Sequence, residues 1–76
     1  MRKGAIGAEV VKLQADLEFL GYNTGLVKFD GVFADLTEGA VKLFQRFNGL
    51  KVDGWVGPKT KIAMYKKLLE MEGLNQ

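Results

Sequence analysis

The fold of this chain is decided by a stretch that occurs twice, as Asp30-Gly31-Val32-Phe33-Ala34-Asp35-Leu36-Thr37 and as Asp53-Gly54-Trp55-Val56-Gly57-Pro58-Lys59-Thr60. At an offset of 23 residues, both copies have Asp-Gly, two apolar residues, three intervening positions and Thr. An aspartate side chain accepts hydrogen bonds from backbone N–H groups two or three residues ahead, and the following glycine tolerates a positive φ. Each copy therefore predicts a tight turn that leads into a helix.

The repetition extends upstream of both turns. Leu13-Gln14 precedes the first copy and Phe44-Gln45 precedes the second, and a helix-ending glycine follows each pair, at Gly21 and Gly49. Because both glutamines lie close to apolar stripes, we expect their side chains to be buried and to bond to the backbone of the loops. Two copies are too few for a solenoid, so the pattern indicates a duplicated helix–loop unit.

Three segments have the periodicity of amphipathic helices, from about Ala8 to Leu20, from about Asp35 to Asn48, and from Pro58 to a closing Gly73. We expect a compact all-α bundle of three helices and two Asp-Gly loops, as one domain over residues 1–76 with its core at about 4–70. The connection 22–33 is longer and could hold a short extended piece, and residues 74–76 are expected to fray. The residues assigned to the core are Val10, Leu13, Leu17, Leu20, Phe33, Ala40, Val41, Phe44, Phe47, Ala63, Met64 and Leu68.

Composition excludes several kinds of active site. The 76 residues include no histidine and no cysteine, so a Ser-His or Cys-His pair, a disulfide and a thiolate metal site are excluded. An enzyme could be built only on a carboxylate pair, such as Asp30 with Asp35 or Asp53, and the spacing singles out no general acid. We expect no catalysis, no bound metal and no cofactor.

Charge and hydropathy restrict the partners. The net charge of +2 does not demand a nucleic acid, and the lysines of the last helix are typical of a solvated face. No apolar run approaches the ~20 residues that span a bilayer, and no signal peptide is visible. We expect a monomer without nucleic-acid or membrane contact, either encoded by a phage or excised from a longer protein.

The ordered set of motifs resembles the bacterial peptidoglycan-binding domain family, over about Gly4 to Leu69. The matching residues are Gly7, Leu13-Gln14, Leu20-Gly21-Tyr22, Asp30-Gly31-Val32-Phe33, Thr37, Ala40-Val41, Phe44-Gln45, Gly49-Leu50 and Asp53 to Thr60. Ala34 departs from the family pattern, which has glycine there, and alanine is a poor helix cap, so we expect the first loop to be less regular than the second.

The resemblance implies a function as well as a fold. Such a module would bind cell-wall peptidoglycan without catalysis and would bring an attached or partner enzyme, such as a cell-wall hydrolase or an endolysin, to its substrate. It would act at the cell wall, in an extracellular or periplasmic location. The related pro-segments of animal metalloproteinases depend on a cysteine, which this chain lacks.

Peptidoglycan presents apolar sugar faces, amides and carboxylates, so a binder needs an aromatic side chain, hydrogen-bonding groups and positive charge. Trp55 is the candidate for stacking, because the first copy has Val32 at this position and the turn therefore does not require an indole. The alternative interpretation of Trp55 is a hydrophobic residue of the core or its rim. For the turn aspartates and threonines the alternative is a purely structural role. The predicted contact residues, in a shallow groove between the two loops and the start of the second helix, are Tyr22, Asp30, Gly31, Thr37, Arg46, Asp53, Gly54 and Trp55.

Two other functions are compatible with three helices. A protein–protein interaction module would present apolar surface and have no affinity for sacculi. A helix-turn-helix nucleic-acid binder fits the basic end of the chain, yet few side chains of the last helix could read bases. Apolar residues stand among its lysines, at Ile62, Met64, Tyr65, Leu68 and Leu69.

Overall fold

A computed structural model describes residues 1–22 and 29–73 of the chain. It contains three α-helices: α1 (Ala8–Phe19), α2 (Asp35–Phe47) and α3 (Pro58–Gly73). The predicted all-α fold is confirmed, and each helix begins and ends within one residue of its expected position. The loop residues 23–28 and the tail 74–76, for which an extended piece and fraying were expected, lie outside the described residues.

α1 and α2 end in the same way. In α1, the N–H of Gly21 donates to the carbonyl of Glu18 at 3.0 Å, and the N–H of Tyr22 donates to Leu17 at 2.8 Å. In α2, Gly49 donates to Arg46 at 3.4 Å and Leu50 to Gln45 at 2.9 Å. This pair of bonds is the Schellman motif, which satisfies the last helical carbonyls and turns the chain away from the helix axis. The glycines that were expected to end both helices therefore do so.

The core lies between the three helices and the two turns. The buried apolar residues are Val10, Leu13, Leu17, Phe33, Ala40, Val41, Phe44, Val56 and Met64, with Leu20, Ala63 and Leu68 packed against them. The assignment of Phe47 to this core is wrong, because its side chain is 71% exposed. Phe47 is the last residue of α2, beyond the part of the helix that the core covers, and its ring lies beside that of Tyr22 at a centroid distance of 6.3 Å.

The first seven residues lie across both turns and contain a turn of their own, in which the N–H of Ala5 donates to the carbonyl of Arg2 at 3.0 Å. Phe33 exchanges backbone hydrogen bonds of 2.9 Å with this segment, donating to Ala5 and accepting from Gly4, and Gly7 donates to Gly31 at 2.9 Å. Ile6 and Val32 thereby form an isolated antiparallel bridge. Beyond the second turn, Val56 donates to the carbonyl of Met1 at 2.7 Å. This segment therefore joins the two halves of the repeat, a connection that the sequence pattern did not predict.

No helix within the described ranges is long and apolar enough to cross a membrane.

Candidate functional site

The first Asp-Gly turn is organised by Gln14 of α1, whose side chain is fully buried. The Gln14 amide oxygen accepts the N–H of Gly31 at 3.0 Å. Its amide nitrogen donates to Asp30 Oδ1 at 3.0 Å, the carbonyl of Val32 at 3.2 Å and Thr37 Oγ1 at 3.0 Å. Asp30 Oδ1 also accepts the N–H of Val32 at 2.9 Å, which closes the turn.

The second turn repeats these contacts around Gln45 of α2. The Gln45 amide oxygen accepts the N–H of Gly54 at 3.0 Å, and Asp53 Oδ1 accepts the N–H of Trp55 at 2.9 Å. The Gln45 amide nitrogen donates to Asp53 Oδ1 at 2.9 Å, the carbonyl of Trp55 at 3.0 Å and Thr60 Oγ1 at 3.2 Å. The prediction of buried glutamines that bond to the loop backbone is confirmed in both copies.

These networks account structurally for several of the residues predicted to touch a ligand. Thr37 is 1% exposed, and its hydroxyl is held by Gln14. Gly31 and Gly54 are buried, with φ values of 72° and 74°. The two turns are equally regular, although Ala34 caps α2 where the family has glycine, because Ala34 adopts an extended conformation with φ −117°. The irregularity expected for the first loop is therefore absent at its Asp-Gly turn.

The same hydrogen bonds hold the pKa of both turn aspartates below its ordinary value. The N–H of Val32 is the main cause for Asp30, followed by Gln14. The N–H of Trp55 is the main cause for Asp53, and Gln45 and the charge of Lys51 act in the same direction. Both carboxylates are therefore ionised at neutral pH and poorly suited to act as general acids. Across residues 1–22 and 29–73, no group of three or more acidic side chains is arranged to hold a metal ion.

A concave surface of about 460 Å³ lies at the second turn and the start of α3. Trp55, which is 49% exposed, stands at its wall, with its ring against Gly57. A Cβ atom at position 57 would lie 2.8 Å from Cζ3 of the indole, so the ring occupies the space that a side chain would take. We call this surface the Trp55 groove, and it is lined by Leu50, Lys51, Asp53, Trp55, Gly57, Pro58, Lys59 and Thr60.

The corresponding face of the first turn is also exposed, with Val32 at 44%, but it has no aromatic ring and contacts the amino-terminal segment. Val32 stands in the place of Trp55 and is bridged by Ile6. Asp35, at the first position of α2, forms an ion pair with Lys3 of the same amino-terminal segment. The groove predicted between the two loops and the start of the second helix stays a prediction, and the Trp55 groove lies at the second turn and the start of the third helix.

The remaining predicted contact residues, Tyr22 and Arg46, lie where α1 and α2 end. The Tyr22 ring packs edge-on against Phe44 at a centroid distance of 5.4 Å, and its hydroxyl accepts a hydrogen bond of 3.3 Å from Asn48 Nδ2. Arg46 is exposed. The eight predicted residues thus divide among the first turn, the second turn and this helix end. Lys51 and Lys59 were not placed in a site from the sequence, and the lysines of the last helix were interpreted as a solvated face, although Lys59 lies inside the repeated stretch, where the first copy has Leu36.

A second concave surface, of about 340 Å³, lies between α1 and α3. Its apolar lining consists of Met1, Leu13, Val56, Met64, Tyr65 and Leu68. Its charged residues are of both signs, and Lys12 is paired with Asp16 at 2.8 Å. We call this surface the α1–α3 groove; it combines an apolar lining with balanced charge.

Comparison with known proteins gives one consistent result. A family model with the description "Putative peptidoglycan binding domain" matches residues 6–64. The chain is 45% identical to the spore cortex-lytic enzyme of Bacillus subtilis (strain 168), over 100% of the chain and 26% of that enzyme. It is 46% identical to the N-acetylmuramoyl-L-alanine amidase CwlM of Mycobacterium tuberculosis, over 78% of the chain and 14% of that enzyme. The chain thus spans about a quarter or less of these relatives.

Two solved structures are similar to this fold. The crystal structure of the SleB N-terminal domain has a TM-score of 0.80 and 41% identity, and the match covers 87% of this chain and 88% of that domain. A peptidoglycan-binding protein from Clostridioides difficile, solved in complex with glutamine hydroxamate, has a TM-score of 0.76 and 42% identity, and the match covers 84% of this chain and 39% of that protein.

Proposed function

Because this chain belongs to the peptidoglycan-binding domain family, we propose that it binds cell-wall peptidoglycan and catalyses no reaction on it. The observation that carries the proposal is the Trp55 groove, an open concavity with a half-exposed indole at its wall. Among the predicted contact residues, Asp53 and Trp55 line this groove, while Asp30, Tyr22 and Arg46 lie on the surface outside its lining.

The fold itself does not require an indole at position 55. The first copy makes the same turn with Val32, and both residues offer the same backbone carbonyl to the buried glutamine. An exposed aromatic ring that structure does not need is typical of a binding surface, and a flat ring beside polar groups suits the apolar face of a sugar. The space that Gly57 leaves for the ring supports the same conclusion.

The polar groups around the groove are arranged for binding and not for catalysis. Asp53 has its Oδ1 held by the N–H of Trp55 and by Gln45, and Thr60 is 5% exposed and bonded to Gln45. General acid–base chemistry needs a carboxyl whose pKa is matched to the working pH, whereas the pKa of Asp53 is lowered. We therefore assign the chain no catalytic residue.

We further propose that the module holds an attached or partner wall-degrading catalytic domain at its substrate. The relatives named above are a cortex-lytic enzyme and an amidase, and the matched region is a minor part of each. Tethering turns the meeting of catalytic domain and wall into an intramolecular event at high effective concentration. The module would then act at the cell wall, outside the cytoplasm.

Retention on purified sacculi tests the binding function. We expect Trp55→Ala to weaken retention about tenfold, through the loss of stacking surface (~1.4 kcal/mol). Tyr65→Ala is the matched control, because Tyr65 is also an exposed aromatic, at 64%, and lines the α1–α3 groove. Circular dichroism checks that both variants remain helical. If the wild-type chain is not retained, the function is wrong, and if both variants bind like wild type, the assignment to the Trp55 groove is wrong.

A protein-docking module on the same scaffold is the second candidate. The observation in its favour is a row of exposed apolar residues along α3, formed by Ile62, Tyr65 and Leu69. The same row argues against nucleic-acid binding, because it places apolar side chains where base or phosphate contacts would be needed. A chain that fails to bind sacculi but elutes with a catalytic domain of its parent protein would favour docking.

A further inference from the structure

The Trp55 groove carries positive charge in addition to its aromatic wall. Lys51 and Lys59 both line it, and both are exposed. Among the residues that the structure describes, ion pairs are formed by Lys3, Lys12, Lys42 and Lys67, and the two groove lysines are in none of these pairs. The groove thus offers two ammonium groups to an incoming ligand.

The one acidic side chain of the groove does not neutralise both lysines. One carboxylate oxygen of Asp53 accepts hydrogen bonds from Gln45 and from the N–H of Trp55, and the negative charge of Asp53 interacts with the positive charge of Lys51. Lys59 lies six residues after Asp53, in the first turn of α3. The groove therefore has a net positive charge of about one, located beside the indole.

Comparison of the two copies shows that Lys59, at the helix start, is specific to the second turn, whereas Lys51 has a sequence counterpart in Lys28 of the first copy. In the first copy, the start of α2 is acidic at Asp35, and the ammonium of Lys3 from the same chain meets it. In the second copy, Pro58 and Lys59 stand where the first has Asp35 and Leu36. The start of α2 thus carries a negative charge that pairs with Lys3, whereas the start of α3 carries the positive charge of Lys59 and faces the open groove.

We propose that the Trp55 groove recognises a free carboxylate of the peptidoglycan peptide stem, with Lys59 and Lys51 as its ion-pair partners and the indole of Trp55 against the adjoining amide or sugar. This inference rests on the proposed function and narrows the ligand to the peptide stem. Glycan chains carry no charge of their own once stems are attached to the lactyl groups, so they offer the lysines no anion. The stem carboxylates are the anions of purified peptidoglycan, and a charge-assisted ammonium–carboxylate hydrogen bond is stronger than a neutral one.

The experiment compares two forms of one ligand. Sacculi freed of teichoic acid are used untreated, or after conversion of their carboxylates to carboxamides, and the apparent Kd is measured by depletion at low salt. We expect amidation to weaken wild-type binding roughly three- to tenfold, in line with one or two exposed ion pairs. Lys59→Gln should weaken binding to untreated sacculi by a similar factor and have little further effect on amidated sacculi.

Lys66→Gln is the matched control, because Lys66 is an exposed lysine of α3 that lines neither groove, and it should bind like wild type. Equal wild-type affinity for the two forms of sacculi, or a loss in Lys66→Gln as large as in Lys59→Gln, would overturn the carboxylate inference and leave the binding function standing. Strong binding to neutral chitooligosaccharides that Lys59→Gln does not change would likewise overturn it. Failure of the wild type to bind any sacculi would overturn the proposed function itself.

Discussion

At the scale of single residues, Gln14 and Gln45 are the side chains on which the turns depend. Each amide is buried and uses both ends, its oxygen for a glycine N–H and its nitrogen for an aspartate, a backbone carbonyl and a threonine. Among the described residues, no buried side-chain nitrogen or oxygen is without a partner. Such a network stabilises a fold when it is complete and becomes costly when one member is removed.

Gln45→Met should therefore be strongly destabilising. Methionine fills a similar volume but leaves the N–H groups of Asp53 and Gly54 without their acceptor and removes the donor to Thr60 Oγ1, which should lower the free energy of unfolding by about 2–4 kcal/mol. Urea unfolding measures the loss. Gln14→Met should have an effect of the same size, because its contacts are the same, and a loss below about 1 kcal/mol in either variant would contradict this role.

The turn aspartates should make stability depend on acid. Their folded pKa values lie below the ordinary carboxyl value of about 3.9, so their stabilisation is complete above about pH 4 and is lost as the pH falls through the folded pKa. A variant with both Asp30→Asn and Asp53→Asn keeps the acceptor oxygens but cannot titrate. We expect its free energy of unfolding, measured between about pH 5 and pH 2, to fall less steeply than that of the wild type. Identical slopes would be inconsistent with this account.

At the scale of elements, each turn is held against the helix that precedes it. A Cβ atom at Gly54 would lie 3.1 Å from Cε of Lys42 and 3.2 Å from Cγ of Glu38, both on α2. A Cβ atom at Gly31 would meet Val11 of α1 at 3.1 Å. The two turns therefore approach α1 and α2 equally closely, and they do so with glycines at positive φ.

Two glycine substitutions that should change the free energy of unfolding in opposite directions test this close packing. Gly54→Ala should lower the free energy of unfolding by about 1–2 kcal/mol, because alanine is strained at φ 74°. Gly39→Ala should raise it by about 0.5–1 kcal/mol, because Gly39 lies inside α2, with nothing within 4 Å of an added Cβ. Thermal or urea unfolding of both variants gives the signs, and a stabilised Gly54→Ala would exclude the required turn geometry.

The helices were predictable because their signals are local. Glycines at both ends of α1, proline at the start of α3 and the apolar stripes are all visible in the sequence. Phe47 was misplaced because periodicity continues to the last residue of a helix, whereas the core ends one turn earlier, at Phe44. The position of the amino-terminal segment, residues 1–7, was missed because it is bound mainly through backbone groups, which leave no side-chain pattern.

At the scale of the whole molecule, two equivalent halves have different surfaces. The family suggested by the motifs is confirmed, and the buried glutamine and threonine of each network are the same in both copies. Exposure could not be predicted, because the turn residues that define the family also build the networks that bury Thr37 and Gly54. Lys51 and Lys59 were missed for the related reason that a surface lysine is usually only solvated.

Position-specific mapping of the ligand surface tests the central claim most directly. Backbone amide shifts of the ¹⁵N-labelled chain are followed by NMR while soluble peptidoglycan fragments carrying peptide stems are added. We predict that the largest shifts occur at residues 50–60, around the Trp55 groove, and that residues 30–37 of the first turn, where Val32 replaces the indole, change little. Shifts centred on the α1–α3 groove, or of equal size at the two turns, would contradict the account.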